Sequence, residues 1–278
     1  VLFRSRARKK RGRQVKNMRK SYIVSAKRTA IGSFLGGLAT VKPKDMGSAV
    51  VKALLEDANV APENVDEVIC GNVLGAGLGQ NIGRTIALEA GIPETVCAHS
   101  VNMVCGSGLR TVMEAVMSIQ CGFNDIVVAG GVESMSGAPY LIPANTRTGN
   151  KMGNFTVVDH MIYDALTDAR ANIHMGVTAE NIAKKYNITR EEQDAFGYAS
   201  QQKAIAAVDS GRFKDEIVPI TVHLKKQDVI FDTDEHPNRK STPEKMAKLR
   251  PAFVKDGTVT AGNRSEERRV GKECRSRW

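Results

Sequence analysis

The stretch VCAHSVNMVCGSGLRTVMEAVMSIQCGFNDIVVA, residues 96–129, sets the fold class. Val96 to Val101 is a short apolar-rich run that reads as a strand. Gly106 to Gln120 carries Leu109, Val112, Met113, Val116 and Ile119 at helical spacing. Asp125 to Ala129 contains the run IVVA, the mark of a parallel strand covered on both faces. Strand, helix and strand in this order predict a crossover unit. Between the first strand and the helix stands Cys105, followed by Gly106, Ser107 and Gly108.

The same alternation extends N-terminally. Tyr22 to Ala26 reads as a strand. Pro43 to Asn59 reads as a helix with Met46, Ala49, Val50, Ala53 and Leu54 on one face. Val65 to Leu74 reads as a strand ending in a glycine-rich turn, and Asn81 to Ala90 as a helix closed by Gly91 and Pro93. The expected fold is α/β, a mostly parallel mixed sheet covered by helices.

The second half has a different pattern. Residues 132–156 are rich in Gly, Pro and Asn and read as loop. Thr189 and Glu192 form a capping box that opens a helix running to Ser210 before Gly211. Thr242 with Pro243 opens another. These helices break the regular alternation and are expected to form an inserted helical loop domain.

Composition excludes several function classes. The 278-residue chain has 42% hydrophobic residues and a formal net charge of +10, but no apolar run reaches the ~18 residues a membrane span needs. The charge suggests nucleic acid until it is located. Residues 1–17 hold eight Lys/Arg and no acid, and residues 264–278 hold six Lys/Arg with three Glu. The remaining 18–263 holds 26 basic and 27 acidic residues, a net of −1. Both tails read as foreign to the body, a transit peptide being the alternative for the first. A basic-tailed nucleic-acid binder is therefore the competing reading, and the neutral body argues against it.

The five cysteines, at 70, 97, 105, 121 and 274, contain no C-x-x-C pair. That argues against a disulfide framework and a zinc site, and for a reducing, cytoplasmic setting. Asp232, Asp234 and His236 could be ligands, but such a cluster before a proline is more often a turn. Gly75-Ala76-Gly77-Leu78-Gly79 has its third glycine one residue early for a dinucleotide loop. No metal site is expected.

Cys105 is the candidate nucleophile. A helix N-terminus offers free N–H groups and partial positive charge, which favour a thiolate and suit a developing oxyanion. Gly106 and Gly108 allow close approach of a substrate. This arrangement suits acyl transfer through a thioester, although an isolated buried cysteine is more often a small core residue.

The segment NMVCGSGL resembles the nucleophile motif of the thiolases. It is accompanied, in thiolase order, by SAKRTAIGSF at 25–34, GNVLGAGLGQN at 71–81, VVAGGVESMS at 127–136, APYLIP at 138–143, HMGVTAEN at 174–181, TREEQDAF at 189–196, GRFKDEIVPI at 211–220, DTDEHPNRKSTPEKMAKLRPAF at 232–253 and DGTVTAGN at 256–263. The resemblance covers Met18 to Asn263. It implies an N-terminal α/β domain over 18–135, a loop domain over 136–255 and a return to the N-terminal domain over 256–263.

It also implies roles. Cys105 matches the acylated nucleophile. His174 and Met175 match a loop against the acyl pocket, in a form closer to thiolases acting on acetoacetyl-CoA than to long-chain degradative ones. Leu166, Phe253, Ala261 and Gly262 match positions lining the pantetheine channel. The loop 140–153 matches the segment through which dimers pair into tetramers. The implied reaction joins two acetyl-CoA into acetoacetyl-CoA and CoA, reversibly, with the CoA thioester as substrate and no separate cofactor. The alternative is a broader 3-ketoacyl-CoA thiolase of β-oxidation.

The match breaks after Asn263, where the family motif continues Ala-Ser-Gly and this sequence reads Arg264. The resemblance places an activating histidine, a second acid/base cysteine, a catalytic C-terminal domain and the last strand of the N-terminal sheet beyond that point. Without them, the chain is expected to lack turnover.

Overall fold

The computed structural model describes residues 19–142, 144–149 and 151–264. The two basic tails expected over 1–17 and 264–278 lie outside the described residues, apart from Arg264.

In chain order the elements are β1 (Arg28–Thr29), α1 (Pro43–Asp57), β2 (Glu67–Gly71), α2 (Ile82–Glu89), β3 (Cys97–Val101), α3 (Ser107–Cys121), β4 (Val127–Gly131), β5 (Tyr140–Leu141), β6 (Val158–Asp159), α4 (Met175–Tyr186), α5 (Arg190–Asp209), β7 (Ile217–Val218), β8 (Ile220–His223), β9 (Asp228–Phe231) and α6 (Pro243–Ala247). The central sheet is parallel with order β3-β2-β4, and Gly71 pairs with both Val101 and Gly131. Short pairs flank it: β1 with β7 in parallel, β5 with β6 and β8 with β9 antiparallel.

Successive strand residues point to opposite faces, and β2 uses this to separate two helical layers. On the Cys70 side, Val51 and Leu55 of α1 and Ile82, Ile86 and Ala87 of α2 pack with Val68 and Cys70 into the main core. On the Gly71 side lies α3. A Cβ at Gly71 would fall 2.8 Å from the Ser107 carbonyl carbon and 2.9 Å from the Gly108 nitrogen. Glycine therefore lets the start of α3 descend onto the sheet.

Expectation and structure differ at three places. Tyr22 to Ala26 is not a strand. It finds no ladder among the described residues, and Tyr22, Ile23 and Val24 are exposed. In α1 the fully buried line is Met46, Val51 and Leu55, while Ala49, Val50, Ala53 and Leu54 are half-buried beside it. In α3 the residues that meet the sheet are Ser107, Thr111 and Ala115, whereas Leu109, Met113 and Met117 are exposed. Small residues win that face because α3 lies against glycines, and Thr111 Oγ1 donates to Gly130 O at 3.1 Å.

The second half contains the α5 capping box, with Glu192 N donating to Thr189 Oγ1 at 3.2 Å and Thr189 N to Glu192 Oε2 at 2.8 Å. Within the expected 136–255 unit, β7 pairs with β1 and β8 packs against Met46 of α1. Arg28 anchors this return through Glu216 at 2.6 Å and Asp234 at 2.7 Å. Residues 258–263 hydrogen-bond to Glu180 of α4 and Asp194 of α5. Among the described residues no helix is long and apolar enough to cross a membrane.

Candidate active site

Cys105 sits between the end of β3 and the first turn of α3, at the carboxyl end of the parallel sheet. Crevices at that end of parallel strands are where α/β proteins bind ligands. Cys105 is exposed and its sulfur is free. Two surface hollows lie elsewhere, one lined by residues 23–27, Asp57, Arg212, Asp215 and Glu216, the other by Thr40, Val41 and the β8 region.

The turn before Cys105 is strained. Val104 has φ +49°, a conformation that a β-branched residue rarely adopts. The surroundings hold it there. Asn102 Oδ1 accepts from Val104 N at 3.0 Å. Ser107 Oγ accepts from Met103 N at 2.8 Å and donates to Val104 O at 2.6 Å. Ser107 N also donates to Val104 O at 3.1 Å. Such strain persists where the fold over-determines it, commonly at functional turns. Here it lifts the next residue, Cys105, out of the sheet and places it at the N-terminus of α3.

Beside this turn, Glu133 ties together the strand ends. Its carboxylate accepts from Asn72 Nδ2 at 2.9 Å, Val73 N at 2.9 Å and Leu74 N at 3.0 Å. Desolvation raises its pKa above the ordinary carboxylate value, opposed by the Leu74 and Val73 amides. His160, buried, reaches the same loop: its Nε2 accepts from Ala76 N at 3.4 Å, and its Nδ1 lies 2.5 Å from Asp164.

Four of the expected pocket residues come together next along the chain. A wide turn over Met161–Ala165 leads from His160 to Leu166. Leu166 O accepts from Met175 N at 2.8 Å, and Thr167 pairs with His174. His174 is the N-cap of α4, with Nδ1 accepting from Gly176 N at 2.9 Å. Its ring stacks on Phe253 with centroids 4.8 Å apart. Gly176 is where this stack needs a glycine, since a Cβ would meet the Phe253 ring at 2.3 Å.

Ala261 and Gly262 occupy the turn after Thr260, which pairs with Pro251, two residues from Phe253. Asn263 pins that turn, donating to Asp194 Oδ1 at 2.8 Å and accepting from Thr260 N at 2.7 Å. Asp234 is engaged by Arg28 and by Ile31 N at 2.8 Å. Among the described residues no cluster of three His, Cys, Asp or Glu is set to hold a metal.

Asn72 and Glu133 lie in the segments 71–81 and 127–136 without a role read there, and His160 lies outside every such segment. The contacts that join the three to the loop after β2 span 59–84 residues, which no local pattern announces. The one available signal was His160 four residues before Asp164, a helical-turn spacing that can pair an imidazole with a carboxylate.

Comparison with known proteins bears on the family and the fold. A family model described as "Thiolase, N-terminal domain" matches residues 21–266. An acetyl-CoA acetyltransferase of Thiocystis violacea is 54% identical over 244 residues, which are 87% of this chain and 62% of that protein. One from Escherichia coli strain K12 is 52% identical over 248 residues, 89% of this chain and 63% of its own length. The crystal structure of the Bacillus anthracis acetyl-CoA acetyltransferase superposes with a TM-score of 0.83 at 43% identity, covering 87% of this chain and 61% of that one. The chain thus spans about 62% of the length of the first of these relatives. With a family match over nearly all its described residues, and a solved structure of the same fold at 43% identity, the chain belongs to the thiolase family.

Proposed function

We propose that a protein built on this domain condenses two acetyl-CoA into acetoacetyl-CoA and CoA, and runs the reverse thiolysis, through an acyl group carried on Cys105. The observation that carries the reading is the exposed Cys105 on a strained turn at the start of α3. In the first half-reaction Cys105 Sγ attacks the acetyl carbonyl carbon, a new C–S bond forms, and CoA leaves as the thiol. In the second, an acetyl-CoA that has lost a proton from its methyl carbon attacks that thioester. Acetoacetyl-CoA departs and Cys105 is freed.

Leu166, His174, Met175 and Phe253 are proposed to bound the acyl and pantetheine path, with Ala261 and Gly262 along it. The CoA thioester is the substrate, and no metal or prosthetic group is assigned. The names of the relatives support acetyl-CoA as the acyl donor. A homodimer, or a homotetramer whose dimers pair through the loop 140–153, and a cytoplasmic location complete the proposal.

The test is acetyl-CoA labelling of the purified chain with peptide mass mapping, beside acetoacetyl-CoA cleavage assays. The expected result is acetylation at Cys105, lost in Cys105→Ala. Acetylation confined to other cysteines would overturn the nucleophile assignment. Cleavage that persists unchanged in Cys105→Ala would overturn it as well.

A further inference from the structure

His160 lies between two parts of the molecule that the proposed function needs in register. On one side is the loop after β2, whose residues 72–74 are fastened by Glu133 to the end of β4. That loop belongs to the same carboxyl edge of the sheet as Cys105. On the other side is the segment that runs from His160 through the Met161–Ala165 turn to Leu166, His174 and Met175.

The hydrogen bonds fix how the imidazole is used. A backbone N–H can only donate, so the contact of Ala76 N with Nε2 makes Nε2 the acceptor. The ring proton is then on Nδ1, where Asp164 Oδ2 receives it at 2.5 Å. Asp164 thus holds the tautomer in which Nε2 can take the Ala76 amide. Other bonds lock the ring's own backbone: His160 N donates to Pro139 O at 3.3 Å, and Asp159 Oδ1 accepts from Met161 N at 2.9 Å. The side chain is only 7% exposed, so water is a poor substitute for these partners.

We propose that His160 is a positioning residue that holds the Leu166–Met175 segment in register with the sheet edge that carries Cys105. It touches no reacting atom. Its action runs through Ala76 on one side and through the turn to Leu166 on the other. The proposal rests on reading Leu166, His174 and Met175 as pocket residues.

The test is amide hydrogen exchange on the whole chain, comparing the parent with His160→Leu and His160→Gln. Leucine fills the space but offers no acceptor. Glutamine places an oxygen where Nε2 lies. The expected result is exchange at Ala76 and Met175 about tenfold faster in the leucine variant, as loss of one hydrogen bond implies. Glutamine should restore most of that protection, and the capped helix α5 should exchange alike in all three. Parental exchange in the leucine variant would overturn the proposal. So would equal loosening of α5, or a glutamine variant no better than leucine, since either means that His160 only fills space. Acetyl labelling of Cys105 reports the function reading separately. Absence of acetylation with the exchange pattern intact would sink that reading and leave the register role of His160 supported.

Discussion

The Ser107 hydroxyl donates to Val104 O at 2.6 Å while accepting from Met103 N at 2.8 Å, so one buried side chain closes both sides of the turn that presents Cys105. In Ser107→Ala the Met103 amide loses its acceptor and the turn loses half its clamp. The expected cost is about 1–3 kcal/mol, the usual penalty for leaving such a group unpaired. Urea unfolding measures it. An unchanged midpoint would show that the hydroxyl does not hold the turn.

Val104 gives the opposite sign. Its φ of +49° costs about 1–3 kcal/mol for a β-branched residue, and its side chain is exposed, so little burial offsets that cost. Glycine adopts the same backbone freely, though it adds about 0.4–1 kcal/mol of unfolded-chain entropy. Val104→Gly is therefore expected to be neutral or to stabilise by up to about 2 kcal/mol. Alkylation of Cys105 should become slower or more variable as the turn gains alternatives. A clear loss of stability would show that Val104 makes contacts that outweigh its strain.

These two residues also show what the sequence made legible. The strand–Cys–Gly-Ser-Gly–helix order located Cys105, and the Thr189–Glu192 box located α5, because both signals are local. Helical spacing alone does not name the side of α3 that faces the sheet. Helical spacing marked Leu109 and Met113, yet Ser107, Thr111 and Ala115 meet the glycine-lined strands. Periodicity reports where apolar residues lie, not which neighbour is close enough to demand small ones. Tyr22–Ala26 has strand composition but no ladder among the described residues, and composition cannot supply a pairing partner.

Gly71 tests the close approach of α3. A methyl group there would press on Ser107 and Gly108 backbone atoms at 2.8 and 2.9 Å, which cannot rotate away. Gly71→Ala should destabilise by about 1–3 kcal/mol, as overpacking does, and shift the α3 N-terminus together with Cys105. Gly108→Ala is the contrast, since a Cβ there meets nothing within 4 Å. Equal thermal stability of the two variants would refute the packing argument.

Cys70 provides a pH test. Its thiol is buried under α2, and desolvation pushes its pKa from the ordinary 9.0 to about 11, with the Val132 backbone opposing and the Glu133 charge adding to the rise. At pH 8 only about one part in a thousand is then thiolate, and thiolate is the form that reacts. Iodoacetamide should label the exposed Cys97, Cys105 and Cys121 in the native protein and spare Cys70 until urea unfolds it. The linkage has a definite sign. Below pH 9.0 both states hold the proton and Cys70 contributes no slope. As pH rises from 9.0 toward about 11, the unfolded chain releases its proton first, so stability falls across that window. Lysines and tyrosines titrate there as well, so the informative quantity is the difference between the parent and Cys70→Ala. The alanine variant should start less stable, because it leaves a small void, and should lose less stability as pH rises. If the two curves run parallel from pH 8 to 11, or if Cys70 alkylates as fast as Cys97 in the native state, then Cys70 is not the sealed core thiol that the packing of α2 on β2 requires.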